Sequence, residues 1–403
     1  MTLDPKRVRA SGPLANHTVG FAEELFRQGY PPERATRHVQ VLAQLSRWLE
    51  SQGLDESDLS EERVGQFLEA RRAKGYAETP SLGWMLKLLG FVPGLEVAPA
   101  VPAPPTPLEA LVEHFRRYLS DERGLAAPTV RGYSGIARLF LSGCELCAPG
   151  GAADLSHVSA EAVTAFVVAE RRRRSTASAQ VSVTALRSLL RFLFLEGYVA
   201  RSLGGSVPAV SVPKGFLPRG LPDKVVEALL ASCDTSTKTG KRDLAILTVL
   251  SRLGLRAGEV AGLQLDDLDW AHGELVVRGK GRRRERLPMP VDVGEVLAAY
   301  LSSGRPKVEC RAVFLRVAAP LTAMTSSNVA QIVGGACRRA GVPEVGPHRL
   351  RHSAATAMLR AGASLAEVGQ VLRQSADATT AIYAKVDRVA LRALAQPWPG
   401  ALS

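Results

Sequence analysis

Apolar residues recur at helical spacing along most of this chain, and two stretches interrupt the pattern. In residues 28–54 (QGYPPERATRHVQVLAQLSRWLESQGL) Val41, Leu42, Leu45 and Leu49 fall on one face of an amphipathic helix. Residues 97–107 (VAPAVPAPPTP) alternate Ala, Val and Pro. Proline offers no donor for helix or ladder bonds, so this stretch reads as an extended, semi-rigid linker. Residues 202–221 (SLGGSVPAVSVPKGFLPRGL), rich in Gly and Pro, read as a second irregular connection. Three segments result: 1–96, 108–201 and 222–403.

The first two segments follow one helical plan. Residues 28–54 lie against RGLAAPTVRGYSGIARLFLSG with Gly29 opposite Gly124, and LSEERVGQFLEARR lies against VSAEAVTAFVVAERRRR. Each has a turn, an amphipathic helix, a short polar link and a second helix opened by a hydroxyl cap. Two unrelated sets of generic helices would share much of this. Arg171, Arg172, Arg173 and Arg174 close one helix of the second segment, and four consecutive residues cannot share a helix face. A solvated charge run and a phosphate grip near a helix end both fit them.

The third segment opens as helix: LPDKVVEALLAS has Leu221 and Pro222 just before its first turn. KRDLAILTVLSRLG places Leu244, Leu247 and Leu250 on one stripe and stops at Gly254. GELVVRGKGRRRERLPMP reads as a β-hairpin with a basic tip. SSNVAQIVGGACRRAG, HRLRHSAATAMLRAG and SLAEVGQVLRQ then read as successive helices ended at or near glycine.

Composition narrows the function classes. At 403 residues, with 46% hydrophobic and 22% charged residues, the chain should fold throughout and into more than one domain. A net charge of +12 and a pI near 9.8, carried mostly by arginine, suit a phosphate-rich partner, although a basic soluble enzyme would show the same balance. Five cysteines do not make a disulfide framework, and Cys144 and Cys147 form a lone C-x-x-C with no second pair at zinc-site spacing. The opening MTLDPKRVRASG has charge but no apolar stretch of signal-peptide type, and no apolar run reaches the ~18 residues of a membrane span. The expectation is a soluble protein of the bacterial cytoplasm, at the nucleoid, with no membrane contact.

Residue types in the third segment match what metal-free phosphodiester cleavage requires. The anionic phosphate needs its non-bridging oxygens neutralised as charge builds, which two arginine forks do well. A tyrosine can hold the cleaved strand covalently and keep the bond energy, given a base or a positive field to help its phenol ionise. The departing oxygen needs a proton donor, a task suited to lysine and unsuited to arginine, which holds its proton too tightly.

LSRLGLRAGEVAGLQLDDLDW, VVRGKGRRRERLPMP, PHRLRHSAATAMLRAG and ATTAIYAKV together resemble the catalytic domain of the tyrosine recombinase (phage integrase) family, over roughly 200–395. The second segment is similar, less specifically, to the family's helical core-binding domain of SAM-like type. The resemblance implies a mainly α fold: helical DNA-binding segments followed by a mostly helical catalytic domain with a small β-sheet. By that likeness Arg256 and Arg351 clamp the phosphate and Glu259 supports the site. Lys280 protonates the leaving 5′ oxygen, His348 is the acid–base partner and Tyr383 is the nucleophile. Arg282 and Arg283, beside Lys280, become candidate DNA contacts. His348 and His352 stand one turn apart, as two metal ligands would, but no third ligand accompanies them, and His352 reads as a packed histidine beside the clamp. Gln374 departs from the pattern: the family carries His or Trp nine residues before the tyrosine, and Arg373 stands where glycine is usual. A glutamine amide can still donate an N–H to the phosphate, without charge.

The resemblance further implies double-stranded DNA as partner, a homo-tetramer on DNA, DNA-bending or companion recombinase proteins, and neither metal nor cofactor, since the phosphotyrosine stores the energy for religation. The extra N-terminal segment suits a recombinase of a mobile element, hence integration, excision or transposition. Two alternatives stand beside this: relaxation of the type IB topoisomerase kind, and an accessory DNA-binding protein whose catalysis is impaired through Gln374.

Overall fold

The computed structural model describes residues 5, 8–76, 80–99, 106–144, 155, 158–209, 220–279 and 284–373. The chain forms two compact units, Met1–Ala100 with Phe216–Ser403, and Val101–Gly215. The first segment thus belongs with the third in space, while each of the three segments keeps an apolar core of its own.

Among the described residues the first segment has four α-helices, α1 (Thr18–Arg27), α2 (Pro32–Ser51), α3 (Glu61–Ala73) and α4 (Leu82–Leu89). Proline at the start of α2 costs no hydrogen bond, because the first-turn N–H groups have no partner inside a helix. The α2 core stripe is Ala35, Val39, Leu42, Leu45 and Leu49, with Val41 at its margin. The Val101–Gly215 unit also has four helices, α5 (Pro107–Arg117), α6 (Ala127–Ser142), α7 (Ala160–Arg173) and α8 (Thr176–Leu195). The two sets share a layout. Gly29 and Gly124 both adopt positive φ (81° and 56°) ahead of the second helix, and Ser60 and Ser159 both cap the third, accepting from Arg63 and Ala162 N–H. They part at the fourth helix, of eight residues in α4 and twenty in α8.

Arg171, Arg172 and Arg173 form the last turn of α7, and Arg174 leaves it in extended conformation. Arg174 pairs at 2.7 Å with Glu170, which is buried and also accepts from Ser182 on α8. Arg174 is thus ion-paired at its base, with its side chain still 44% exposed. Arg171 bonds Thr176, and Arg172 and Arg173 are exposed.

The third segment runs α9 (Asp223–Ala231), α10 (Lys238–Leu253), α11 (Ala257–Gly262), strands β1 (Leu268–Asp269), β2 (Glu274–Arg278) and β3 (Arg284–Pro288), then α12 (Val291–Ala299), α13 (Ser326–Arg339), α14 (Pro347–Arg360) and α15 (Leu365–Val371). The antiparallel sheet has order β1-β2-β3, with Leu275 opposite Leu287 and Arg278 opposite Arg284. Leu275, Val277 and Leu287 turn one face to the core. Among the described residues no helix is long and apolar enough to cross a membrane.

Helix α10 departs from the one-stripe expectation. Ala245 to Ser251 are all buried, whereas Leu244, expected on the stripe, is only partly so. The reason is that α9, α12, α13 and α14 pack around α10, and a helix enclosed by its neighbours must be apolar all round. Its end positions the site. Gly254 closes α10 with φ +58°, and a Cβ there would lie 2.6 Å from Leu372 Cδ2 and 3.4 Å from Ala354 Cβ. Gly254→Ala is expected to cost about 1–3 kcal/mol from the left-handed backbone alone, with the Leu372 contact adding to it. Urea unfolding at equilibrium checks this, and a midpoint equal to wild type would mean that the close approach carries no weight.

Candidate active site

Four short elements converge at the end of α10. Arg256 is the N-cap of α11, and the Glu259 carboxylate reaches back to accept its backbone N–H at 2.7 Å and its Nη1 at 2.7 Å. Glu259 thereby satisfies a first-turn N–H and fixes the Arg256 side chain in one contact. The same carboxylate accepts from Arg373 Nη2 at 2.8 Å. The side chains of Glu259 and Arg373 are 7% and 3% exposed, whereas that of Arg256 is 46% exposed. One carboxylate thus holds a buried and an open guanidinium together. Burial alone would push the Glu259 carboxyl up. The Arg256 N–H, the Arg373 charge and hydrogen bonds from both arginines hold it below the usual range instead.

Arg351, on α14, is 1% exposed. Its Nη1 donates to the Gly254 carbonyl and its Nη2 to the Leu372 carbonyl, joining the last residue of the α10 turn to the C-cap of α15. Arg373 follows Leu372 with φ 54°, the one positive φ of a non-glycine among the described residues. The turn 372–373 is therefore held twice, by Arg351 at its carbonyl and by Glu259 through the Arg373 side chain. The Arg373–Glu259 contact was not legible as a partner choice; the one signal was an arginine where glycine is usual.

His348 stands on the first turn of α14, and the His348 and His352 rings meet edge to face with centroids 4.3 Å apart. Partial burial and the charges of Arg351 and Arg256 lower the His348 pKa, which places that ring in the field of both arginines. Burial, His348, Arg349 and Arg351 take His352 down to about 4. Among the described residues no group of three His, Cys, Asp or Glu could hold a metal ion. Cys144 is buried, and burial raises its thiol pKa; Cys147 lies outside the described residues.

The structure brings together Arg256, Glu259, His348, Arg351 and His352. Lys280, Arg282 and Arg283 lie outside the described residues, between β2 and β3, as do Gln374 and Tyr383. The strand leading to Lys280 is anchored by Arg278, which donates to the buried Asp267 at 2.8 Å.

Comparison with known proteins decides the family. The profile of the phage integrase family matches residues 219–389, and that of the phage integrase N-terminal SAM-like domain matches 112–197. A putative integrase/recombinase y4rA of Sinorhizobium fredii is 38% identical over 395 residues, covering 96% of this chain and 95% of that protein. The chain belongs to the phage integrase family of tyrosine recombinases. It is a site-specific DNA recombinase. The tyrosine recombinase XerD of Listeria monocytogenes is 31% identical over 291 residues, 70% of this recombinase and 96% of that one. The fold matches the XerH site-specific recombinase bound to a palindromic difH substrate, with TM-score 0.56 and 18% identity over 84% of this chain and 97% of that one. It also matches a lambda integrase tetramer bound to a Holliday junction, with TM-score 0.54 and 16% identity over 68% and 76% of the two chains.

Two outcomes follow for the recombinase. Glu259→Ala leaves Arg373 buried without its carboxylate, and stranding one partner of a buried pair costs about 3–5 kcal/mol; denaturant unfolding should show that loss, and a loss below the range of ordinary surface substitutions would count against the bridge. The pH dependence has a definite sign. Folded His352 stays neutral down to about 4, while unfolded histidine takes its proton near 6.5. Through that window the unfolded chain binds more protons, so stability falls as pH falls. His352→Asn is expected to flatten the slope of unfolding midpoint against pH between those values, and an unchanged slope would show that His352 does not carry it.

Proposed function

We propose that the recombinase cuts and rejoins DNA through Tyr383. The phenolic oxygen attacks the scissile phosphorus, the P–O5′ bond breaks, and the strand is held as a 3′-phosphotyrosine. Arg256 and Arg351 neutralise the non-bridging oxygens, His348 takes the phenolic proton, and Lys280 supplies a proton to the departing 5′ oxygen. Gln374 adds an amide N–H toward the phosphate, and Glu259 and His352 support the two arginines. Arg171, Arg172, Arg173, Arg174, Arg282 and Arg283 contact backbone phosphates, Arg174 with Glu170 steadying its guanidinium. The reverse attack by a 5′ hydroxyl from the partner duplex restores the phosphodiester, so no external energy source or metal is needed.

The observation that carries this reading is the convergence at the end of α10 of Arg256, the N-cap of α11 two residues past Gly254, with Arg351, which donates to the Gly254 carbonyl, and His348 on the same helix as Arg351. The two positive groups differ usefully. Arg351 is fixed by backbone carbonyls before any DNA arrives, and Arg256 is anchored at one end and open at the other. Preorganised donors of this kind lose little on reaching the transition state.

The likeness along 96% of the chain to a putative integrase/recombinase favours recombination over topoisomerase-type relaxation. The assembly on DNA is a homo-tetramer, as in the lambda integrase complex, with bending or companion proteins completing it. Residues 1–96 act as a second copy of the core-binding plan, and the chain serves a mobile element, working at the nucleoid.

A suicide substrate nicked near the crossover, with DNA from the element's own ends, tests the chemistry. Wild type in chelator is expected to form a denaturant-resistant protein–DNA adduct and Tyr383→Phe none. Adduct formation by both proteins would displace Tyr383 as nucleophile. Binding without any adduct, together with cleavage restored by Gln374→His, would move the assignment to an accessory protein.

A further inference from the structure

The helical N-terminal segment and the C-terminal segment enclose a cleft of about 870 Å³ that the recombination chemistry does not use. On α2, Arg34, Arg37, His38 and Val41 line it, at i, i+3, i+4 and i+7; Trp84, Lys87 and Leu88 of α4, with Phe91 just past its end, line the other side. The third wall is the 316–320 loop of the C-terminal segment, which brings Arg316. That wall is locked in place. The Leu321 N–H donates to the Gln28 carbonyl at 3.0 Å. The Leu321 side chain lies over Gly29, where a Cβ would come within 2.4 Å of it.

Two features of the lining point to a ligand. Arg34, Arg37, Lys87 and Arg316 make no ion pair among the described residues, and no carboxylate lines the cleft. Other arginines of the molecule are paired, as Arg138 with Glu109 and Arg252 with Asp292. Between these cations runs a row of rings. Tyr30 meets His38 edge-on at 4.9 Å, His38 meets Trp84 at 5.2 Å, and Trp84 is 39% exposed. An aromatic row with cations on both sides offers stacking and charge together, and the volume falls in the range of about 300–1,000 Å³ used by small-ligand sites.

We propose that this cleft binds an unpaired nucleotide of DNA, its base on the Tyr30–His38–Trp84 row and its phosphates among Arg34, Arg37, Lys87 and Arg316. Every base has a π-face, and aromatic platforms flanked by cations are how single strands are held without sequence preference. A duplex keeps its bases stacked and would engage the cations alone, leaving the rings idle. The site is separate from the Arg256–His348–Arg351 cluster, and the proposal rests on the recombinase reading for DNA as its partner. Its place in the reaction is to hold a strand that cleavage and exchange have unpaired.

Fluorescence anisotropy on the full chain tests it, with a labelled single-stranded oligonucleotide unrelated to any recombination site, the same strand made abasic, a duplex, and a free mononucleotide as competitor. Trp84→Ala is expected to weaken single-strand binding about 5- to 150-fold and to leave duplex binding as it was, with Trp84→Phe recovering most of the loss. Arg316→Ala should reduce the slope of log affinity against log salt by about 0.7, one phosphate of a single strand. An abasic strand that binds as well as the base-bearing one, or a Trp84→Ala protein equal to wild type, overturns the proposal. Displacement of the strand by the mononucleotide at equal affinity overturns the assignment to DNA. Matching thermal unfolding of the variants excludes misfolding as the cause of lost binding. Adduct formation on the nicked substrate is scored on the same preparations: its absence in wild type sinks the Tyr383 reading, while base-dependent binding at the cleft is judged by the oligonucleotide series.

Discussion

The geometry of the active site depends on the carboxylate of Glu259. It closes the first turn of α11 by accepting the Arg256 N–H, it fixes the Arg256 guanidinium, and it neutralises the buried Arg373. A carboxylate this enclosed would ordinarily be expensive to ionise. Two guanidinium groups and a backbone donor make it affordable and keep it charged. On the proposed mechanism this has a consequence: a lone arginine facing a phosphate would need ordering when DNA binds, whereas Arg256 is already held at one nitrogen.

The second constraint is helix α10, buried along Ala245 to Ser251. Its left-handed Gly254 brings the backbone carbonyl to Arg351 and leaves room for Leu372 and Ala354 at the same point. Arg351 then donates to two chain turns that are far apart in sequence. Arg373 contributes a third tie by a route that costs strain: a side-chain-bearing residue at φ 54° is tolerated because its guanidinium finds Glu259 at 2.8 Å. Glycine at that position would relax the backbone and lose the ion pair. This chain has traded the easier backbone for a charge link next to Gln374.

Much of this was legible in the amino-acid sequence because its signals are local. Glycine at Gly254, Gly341 and Gly362 and hydroxyl caps at Ser60, Ser159 and Ser364 mark helix ends through backbone chemistry that a few neighbours decide. The hairpin followed from alternation around a glycine-rich tip, and His348 and Arg351 stood out through the H-x-x-R spacing of the resemblance. What was not legible depends on long-range packing. The all-round burial of α10 cannot be told from a stripe of leucines until its four neighbours are known. Arg174 read like its three neighbours, and only the buried Glu170, one turn back, sets it apart. Arg373 looked like an isolated departure because its partner, Glu259, is more than a hundred residues away.

The association of the first and third segments is the clearest case of information absent from local pattern. Pro and Ala in residues 97–107 marked a linker, and a linker says nothing about where its flanking domains settle. On isolated helices, cations at Arg34, Arg37 and Lys87 would simply face solvent. Their meaning changes once Leu321 seats on Gly29 and carries Arg316 alongside. Like charges brought together repel, and a fold that gathers four cations around exposed rings without a carboxylate has accepted that repulsion. An anionic, planar ligand relieves the charge and covers the rings in one step, which no solvated helix face requires.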